Sequence, residues 1–281
     1  MAPDADPDPW RLACVQVNAG DDMEANVAAA SALARQARDD GADLISFPEN
    51  VGFMAPDGIG VREAAEREDT HPALAAFRDL ARELEAWLLV GSLGIALGDE
   101  DGRVANRSFL VDGSGTVQAR YDKIHMFDVS LADGEAYTES ATYRPGGDAV
   151  CAETPFGMLG LTICYDLRFP YLYRALAHAG ARMIAVPSAF TLATGKAHWH
   201  TLLRARAIET GCFVFAPAQC GTHPRGRKTF GHSLIIGPWG EILAEAGEEP
   251  GVITAEIDLA ASARARAQVP ALTHDRDFTG P

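Results

Sequence analysis

The sequence predicts a single α/β domain, and three observations lead there. β-prone apolar runs alternate with helix-period apolar stripes from about Trp10 to Ile257, and no Ser/Gly/Pro-rich linker divides them. Hydrophobic residues make up 47% of the 281-residue chain, ample for a substantial core. The domain is expected over residues 10–258, with a Pro-, Asp- and Ala-rich flexible tail at 1–9 and a C-terminal extension at 259–281. A strand–helix–strand order occurs in both halves, suggesting two sheets packed face to face with helices outside. Periodicity alone does not separate that arrangement from one doubly wound sheet.

Taken in order, Leu12 to Val17 is a short β-prone run, and Asp21 or Asp22 can cap the helix that follows. In that helix Val27, Ala30, Leu33, Ala34 and Ala37 recur on one face until Gly41 permits the exit. Leu44 to Phe47 is a second strand ending at Glu49. Pro72 suits the first turn of a helix whose stripe is Leu74, Phe77, Leu80, Ala81 and Leu84. Trp87 to Leu93 returns as a strand. Val104 to Val111 and Thr116 to Tyr121 flank Asp112-Gly113-Ser114-Gly115, a hairpin turn, and Lys123 leaves the second arm. The polar stretch Asp128 to Gly147 is predicted as a long loop. Met158 to Cys164 is a strand, Leu172 to Ala179 a helix, Met183 to Val186 a strand, and Lys196 to Thr210 a helix. β-prone runs follow around Cys212 to Phe215, Phe230 to Ile236, Ile242 to Ala244 and Val252 to Ile257.

Composition narrows the function classes. Nothing approaches the roughly 20 apolar residues that cross a bilayer, and residues 1–9 lack the basic and apolar regions of a secretory signal, so a cytoplasmic protein is expected. The formal charge of −15 repels phosphate backbones and anionic lipid, which argues against nucleic-acid and membrane partners. Five cysteines leave one unpaired whatever is bridged, so reduced thiols are expected, with Cys14 and Cys212 packed in the core. No Cys-x-x-Cys, His-Glu-x-x-His or complete phosphate-cradling loop is present, and His198 and His200 point to different faces of a helix. No metal and no cofactor are expected.

Three segments carry chemistry. Cys164 ends an apolar run and is followed by Tyr165-Asp166-Leu167-Arg168-Phe169-Pro170, where a strand gives way to a turn and helix. A strand end holds the sulfur while the turn exposes it and aims backbone N–H groups at whatever the thiol attacks. Phe47-Pro48-Glu49 and Lys123-Ile124-His125 add a base and a cation. Singly, each is an ordinary buried thiol or surface charge; the conjunction makes a catalytic reading the better one.

Phe47-Pro48-Glu49, Lys123 to Asp128, Ile163-Cys164-Tyr165-Asp166, Pro187-Ser188-Ala189-Phe190 and Gly231-His232-Ser233 resemble, in order, blocks of the nitrilase superfamily of carbon–nitrogen hydrolases. Leu203 to Glu209 and Gly237-Pro238-Trp239-Gly240-Glu241 resemble its Nit branch. The resemblance implies a four-layer αββα sandwich, with Cys164 as nucleophile and Glu49 as general base and acid. It implies that Lys123 and the Tyr165 backbone N–H hold the developing oxyanion. Glu139 stands 16 positions after Lys123, where that branch carries an auxiliary glutamate, with Glu135 also available. Arg168 either grips a substrate carboxylate or pins its turn through an ion pair. Where many relatives read Ala-His-Trp-Glu, this chain has His200, which bears on the hydrogen bonding around Glu49 and Lys123. The implied activity is hydrolysis of a small carboxylate-bearing amide through a Cys thioester. Deaminated glutathione is the first candidate, 2-oxoglutaramate the second, and a non-catalytic scaffold the alternative outside catalysis. A true nitrilase is disfavoured by Tyr165-Asp166 where those enzymes typically carry Trp-Glu. A homodimer or higher homo-oligomer is implied, with the C-terminal extension reaching a neighbouring subunit.

Overall fold

The computed structural model describes residues 8–55, 57–130 and 136–280. The tail expected at 1–9 lies outside them for residues 1–7, as do Glu135 and the rest of 131–135. The first half runs β1 (Trp10–Gln16), α1 (Met23–Asp39), β2 (Leu44–Ser46), α2 (Gly58–Ala64), α3 (Pro72–Leu84), β3 (Trp87–Ala96), β4 (Val104–Val111), β5 (Val117–Asp122), β6 (Asp128–Ser130) and β7 (Ala136–Thr138). The second runs β8 (Val150–Thr154), β9 (Gly157–Leu161), α4 (Pro170–His178), β10 (Met183–Ala185), α5 (Leu192–Thr210), β11 (Phe213–Ala216), β12 (Cys220–Thr222), β13 (Lys228–Phe230), β14 (Leu234–Ile236), β15 (Ile242–Glu245), β16 (Gly251–Ile257) and α6 (Ala260–Gln268).

Two six-stranded sheets result, β16-β1-β2-β3-β4-β5 and β15-β14-β11-β10-β9-β8. Each has a parallel centre, β1-β2-β3 and β9-β10-β11, extended by antiparallel strands. Side-chain alternation builds the layers. Along β1, Leu12 and Cys14 join Leu159, Leu161 and Val214 of the other sheet, while Ala13 and Val15 face Ala30 and Ala34 of α1 and Phe77 of α3. Helices α4 and α5 cover the second sheet through Leu176, Trp199 and Leu203. The order is helix, sheet, sheet, helix, the four-layer sandwich that the resemblance implies. Each large aliphatic side chain sealed between the layers contributes about 1.5–3 kcal/mol.

Local signals hold at the helix ends. Asp22 Oδ1 accepts the Ala25 N–H at 3.0 Å and starts α1, and Gly41 leaves it at φ 87°. Pro72 opens α3, and Thr191 caps α5, which begins at Leu192, four residues before the predicted start at Lys196. Two expectations change. The run Phe230 to Ile236 is two strands, because Gly231 and His232 at φ 69° and 53° break it, sending β13 to pair with β12 and β14 to the second sheet. The stretch Asp128 to Gly147 contains the β6–β7 pairing and a 3-10 turn at Glu139–Ala141. Helix α6 also packs on the end of α5: Ser262 Oγ donates to Gly211 O at 2.6 Å and Arg266 Nε to Thr210 O at 3.0 Å. Among the described residues no helix is long and apolar enough to cross a membrane.

Candidate active site

Glu49 arrives from the end of β2. Phe47 N–H donates to Leu89 O at 2.9 Å, and Asn50 then turns the chain at φ 56° with its N–H on Ser92 Oγ. Gln219 Nε2 holds the Glu49 carbonyl at 3.0 Å. The carboxylate is fully engaged: Oε2 accepts the Ala189 N–H at 3.0 Å, and Oε1 accepts from Asn106 Nδ2 at 2.9 Å and Lys123 Nζ at 2.8 Å.

Lys123 follows β5, its N–H bonded to Asn106 O at 3.0 Å. Its ammonium is only 2% exposed and also donates to Glu139 Oε1 at 2.8 Å and Oε2 at 3.0 Å. Glu139 starts the 3-10 turn, and its Oε2 accepts the Phe127 N–H at 2.6 Å. Lys123 is therefore pinned between two carboxylates.

Cys164 lies past the end of β9, with Thr162 N–H on Ala185 O and Cys164 N–H on Pro187 O at 3.0 Å. Its φ of 51° is a left-handed conformation that side-chain-bearing residues rarely adopt, and here it turns the sulfur out of the sheet. Asp166 secures the bend. It is fully buried; Oδ2 accepts from Ile163 N–H at 2.9 Å and Tyr121 OH at 2.7 Å, while Oδ1 accepts the His125 N–H at 3.0 Å and meets His125 Nδ1 at 2.6 Å. One carboxylate thus ties the nucleophile's turn to the segment carrying Lys123.

Cys164 and the Glu49 carboxylate line the same cavity, close enough for each to bear on the other's protonation. Burial pushes the Glu49 carboxyl up, but the charge and hydrogen bond of Lys123, with Cys164 and Arg227 nearby, outweigh it, leaving the carboxyl below its usual range. Burial works against the Lys123 ammonium, yet Glu139 and Glu49 hold it charged far above the usual lysine range. Burial and then the Glu49 charge drive the Cys164 thiol well above its ordinary value despite Lys123. At neutral pH the site rests as carboxylate, ammonium and neutral thiol.

All three groups line one cavity of about 530 Å³, together with Glu139 and Tyr165. Arg168 does not line it. Its guanidinium lies 5.8 Å from the Tyr165 ring and 5.7 Å from the Phe190 ring, and Nη2 sits 3.2 Å from His198 Nδ1, so it braces the aromatic wall from behind. This corrects the expectation that it either binds a substrate carboxylate or forms an internal ion pair. His200 also departs from expectation. It bonds Glu245 Oε1 at 2.9 Å, which His232 Nδ1 meets at 2.9 Å, and has no hydrogen bond to Glu49 or Lys123 among the described residues. The atoms of His200, His232 and Glu245 that could bind a metal lie within 4.8 Å of one another, a cluster that sequence spacing does not show.

Sequence reasoning also missed Asn106, Asp166, Ala189 and Arg227. Asn106 had one available signal, an amide among apolar residues of a strand; a buried polar side chain there needs a partner. Asp166 stood within a recognised block, but its ties to Tyr121 and His125 are long-range and leave no local trace.

Comparison with known proteins finds relatives along most of the chain. Residues 11–267 match the model of the family described as carbon-nitrogen hydrolase. A protein named deaminated glutathione amidase from Synechocystis sp. is 41% identical over 269 residues, covering 95% of this chain and 98% of that one. The human protein of the same name is 38% identical over 268 residues, covering 94% and 82%. Among solved structures, the C. elegans NitFhit protein superposes with a TM-score of 0.89 at 34% identity, over 97% of this chain and 66% of that longer one. Saccharomyces cerevisiae Nit3, a member of branch 10 of the nitrilase superfamily, gives 0.87 at 27% identity over 98% and 100%. With most of its length matched and the same sandwich beneath, this chain belongs to the carbon–nitrogen hydrolase family.

Proposed function

We propose that the protein hydrolyses a small carboxylate-bearing amide through a thioester on Cys164, with deaminated glutathione as the substrate. The observation that carries the reading is the convergence of Cys164, Glu49 and Lys123 on one cavity, with the ammonium fixed on the carboxylate at 2.8 Å. Glu49 takes the thiol proton as sulfur bonds to the amide carbon. Lys123, with the Tyr165 backbone N–H, stabilises the oxyanion. Collapse breaks the C–N bond, and Glu49 returns the proton to the departing amine. Water then attacks the thioester, giving its proton to Glu49; the carboxylic acid leaves and the thiol is restored. Glu139 positions Lys123. The relatives named deaminated glutathione amidase support this choice of substrate.

Purified protein should turn over deaminated glutathione with higher kcat/KM than 2-oxoglutaramate, and mass spectrometry of a quenched reaction should find the acyl group on Cys164. Preference for 2-oxoglutaramate rejects the substrate, and acylation elsewhere rejects the mechanism. We further propose a cytoplasmic location, which the five unbridged cysteines suit, and, on the strength of the −15 charge, no nucleic-acid or lipid partner.

A further inference from the structure

The charged side chains lining the cavity divide evenly: Glu49, Asp57 and Glu139 against Lys123, Arg225 and Arg227. Lys123 is taken by Glu49 and Glu139, and Arg225 Nη2 pairs with Asp57 at 2.8 Å. Among the described residues Arg227 has no carboxylate partner. Its Nη2 donates to Ala189 O at 3.1 Å, Nη1 touches Met54 Sδ at 4.0 Å, and the guanidinium lies 5.5 Å from the Tyr137 ring. Nε is buried with no hydrogen-bond partner. A buried donor left unmet is costly, and a planar fork with spare N–H groups matches a carboxylate.

The segment carrying Arg227 is tied to its surroundings by hydrogen bonds. His223 Nδ1 meets Ala19 O at 2.7 Å and Nε2 meets Thr229 Oγ1 at 2.7 Å, while His223 N–H donates to Arg227 O at 2.8 Å between the paired strands β12 and β13. Ala189 joins this arginine to the reacting groups: its carbonyl accepts from Arg227 and its N–H donates to Glu49.

We propose that Arg227 forms a carboxylate-binding subsite that holds the free carboxylate of the substrate's acyl chain while Cys164 attacks the amide carbon at its other end. The inference rests on the amidase reading above and adds to it a determinant of substrate class. In a five-carbon acyl chain four carbon–carbon bonds, about 5 Å, separate the carboxylate from the amide carbon. An anionic acyl chain also needs this cation, because Glu49, Lys123 and Glu139 together carry a net negative charge.

The test compares kcat/KM for glutaramate and pentanamide, which differ only in the terminal carboxylate. Wild type should prefer glutaramate. Arg227→Ala should reduce the preference about a hundredfold, and Arg227→Lys should restore part of it, since a point charge replaces the fork. Arg225→Ala, which removes a charge already paired with Asp57, should leave the preference within about threefold. An unchanged preference in Arg227→Ala, or an equal loss in Arg225→Ala, overturns the proposal. Calorimetric titration of glutarate into Cys164→Ser protein, with and without Arg227→Ala, separates the two readings. If no amide is hydrolysed the amidase reading falls, while an Arg227-dependent loss of about a hundredfold in glutarate affinity still supports the subsite and an unchanged affinity sinks it.

Discussion

At Cys164 the resting state decides the form of catalysis. Burial and Glu49 keep the thiol protonated, so in the proposed mechanism the nucleophile is made only as Glu49 removes its proton. The carboxyl must be ionised for this, and Lys123 holds it below the usual carboxylate range. Wild-type kcat/KM should therefore stay level through neutral pH and fall only as pH drops through that depressed pKa. Lys123→Met removes the group opposing burial, so the Glu49 pKa rises and the acid limb of the profile should move toward neutrality. The rate at neutral pH should also fall by about 10²–10³ with the loss of an oxyanion donor. A Lys123→Met enzyme with an unshifted acid limb would show that the ammonium does not set the charge of Glu49. A second substitution addresses the base: Glu49→Gln should lower kcat by about 10²–10⁴, and kcat within tenfold of wild type would remove Glu49 from the mechanism. Glu49, Lys123 and Cys164 were legible because each ends a strand-like run in a recognisable block. Asn106 and Arg227 were not, since their roles depend on contacts across 57 and 38 positions of sequence.

Among the elements, strands announced themselves by apolar runs and helices by period and caps, so β1, α1, α3 and the β4–β5 hairpin were readable within a few residues. The misses have physical causes. Helix α2 buries none of its residues, so it shows no apolar stripe. The break between β13 and β14 lies in two left-handed residues, of which His232 gives no compositional warning. Gly91 stands inside an apolar run with no turn beside it, yet its position in β3 has a specific purpose. A Cβ there would overlap Phe47 O and Pro48 O, the backbone that delivers Glu49. Backbone cannot yield as a flexible side chain can, so Gly91→Ala should destabilise the fold by about 1–3 kcal/mol and lower kcat by displacing Glu49. Denaturant titration together with turnover checks this; wild-type stability and kcat would show that β2 and β3 separate without strain.

For the whole molecule, the charge of −15 and the exposed apolar surface pull in opposite directions. The charge repels one copy from another, while Ile208, Trp239 and Val269, each 57% exposed, line a single groove of about 470 Å³ with Leu272. That groove joins α5, the turn after β14 and the segment after α6, three places far apart in sequence, so sequence alone offered only the apolar tail Val269-Pro270-Ala271-Leu272. A stable interface buries about 800 Å² per partner, and a second copy can cover these side chains while the acidic faces stay in solvent. The expected state is a homodimer or higher homo-oligomer. Light scattering should give a multiple of 29.9 kDa, with association strengthened by salt because screening weakens the repulsion and leaves the apolar contact intact. Trp239→Glu should shift the distribution toward monomer by placing a charge inside the contact. A mass of 29.9 kDa at every protein and salt concentration would refute self-association, and oligomers indifferent to Trp239→Glu would place the interface on another face.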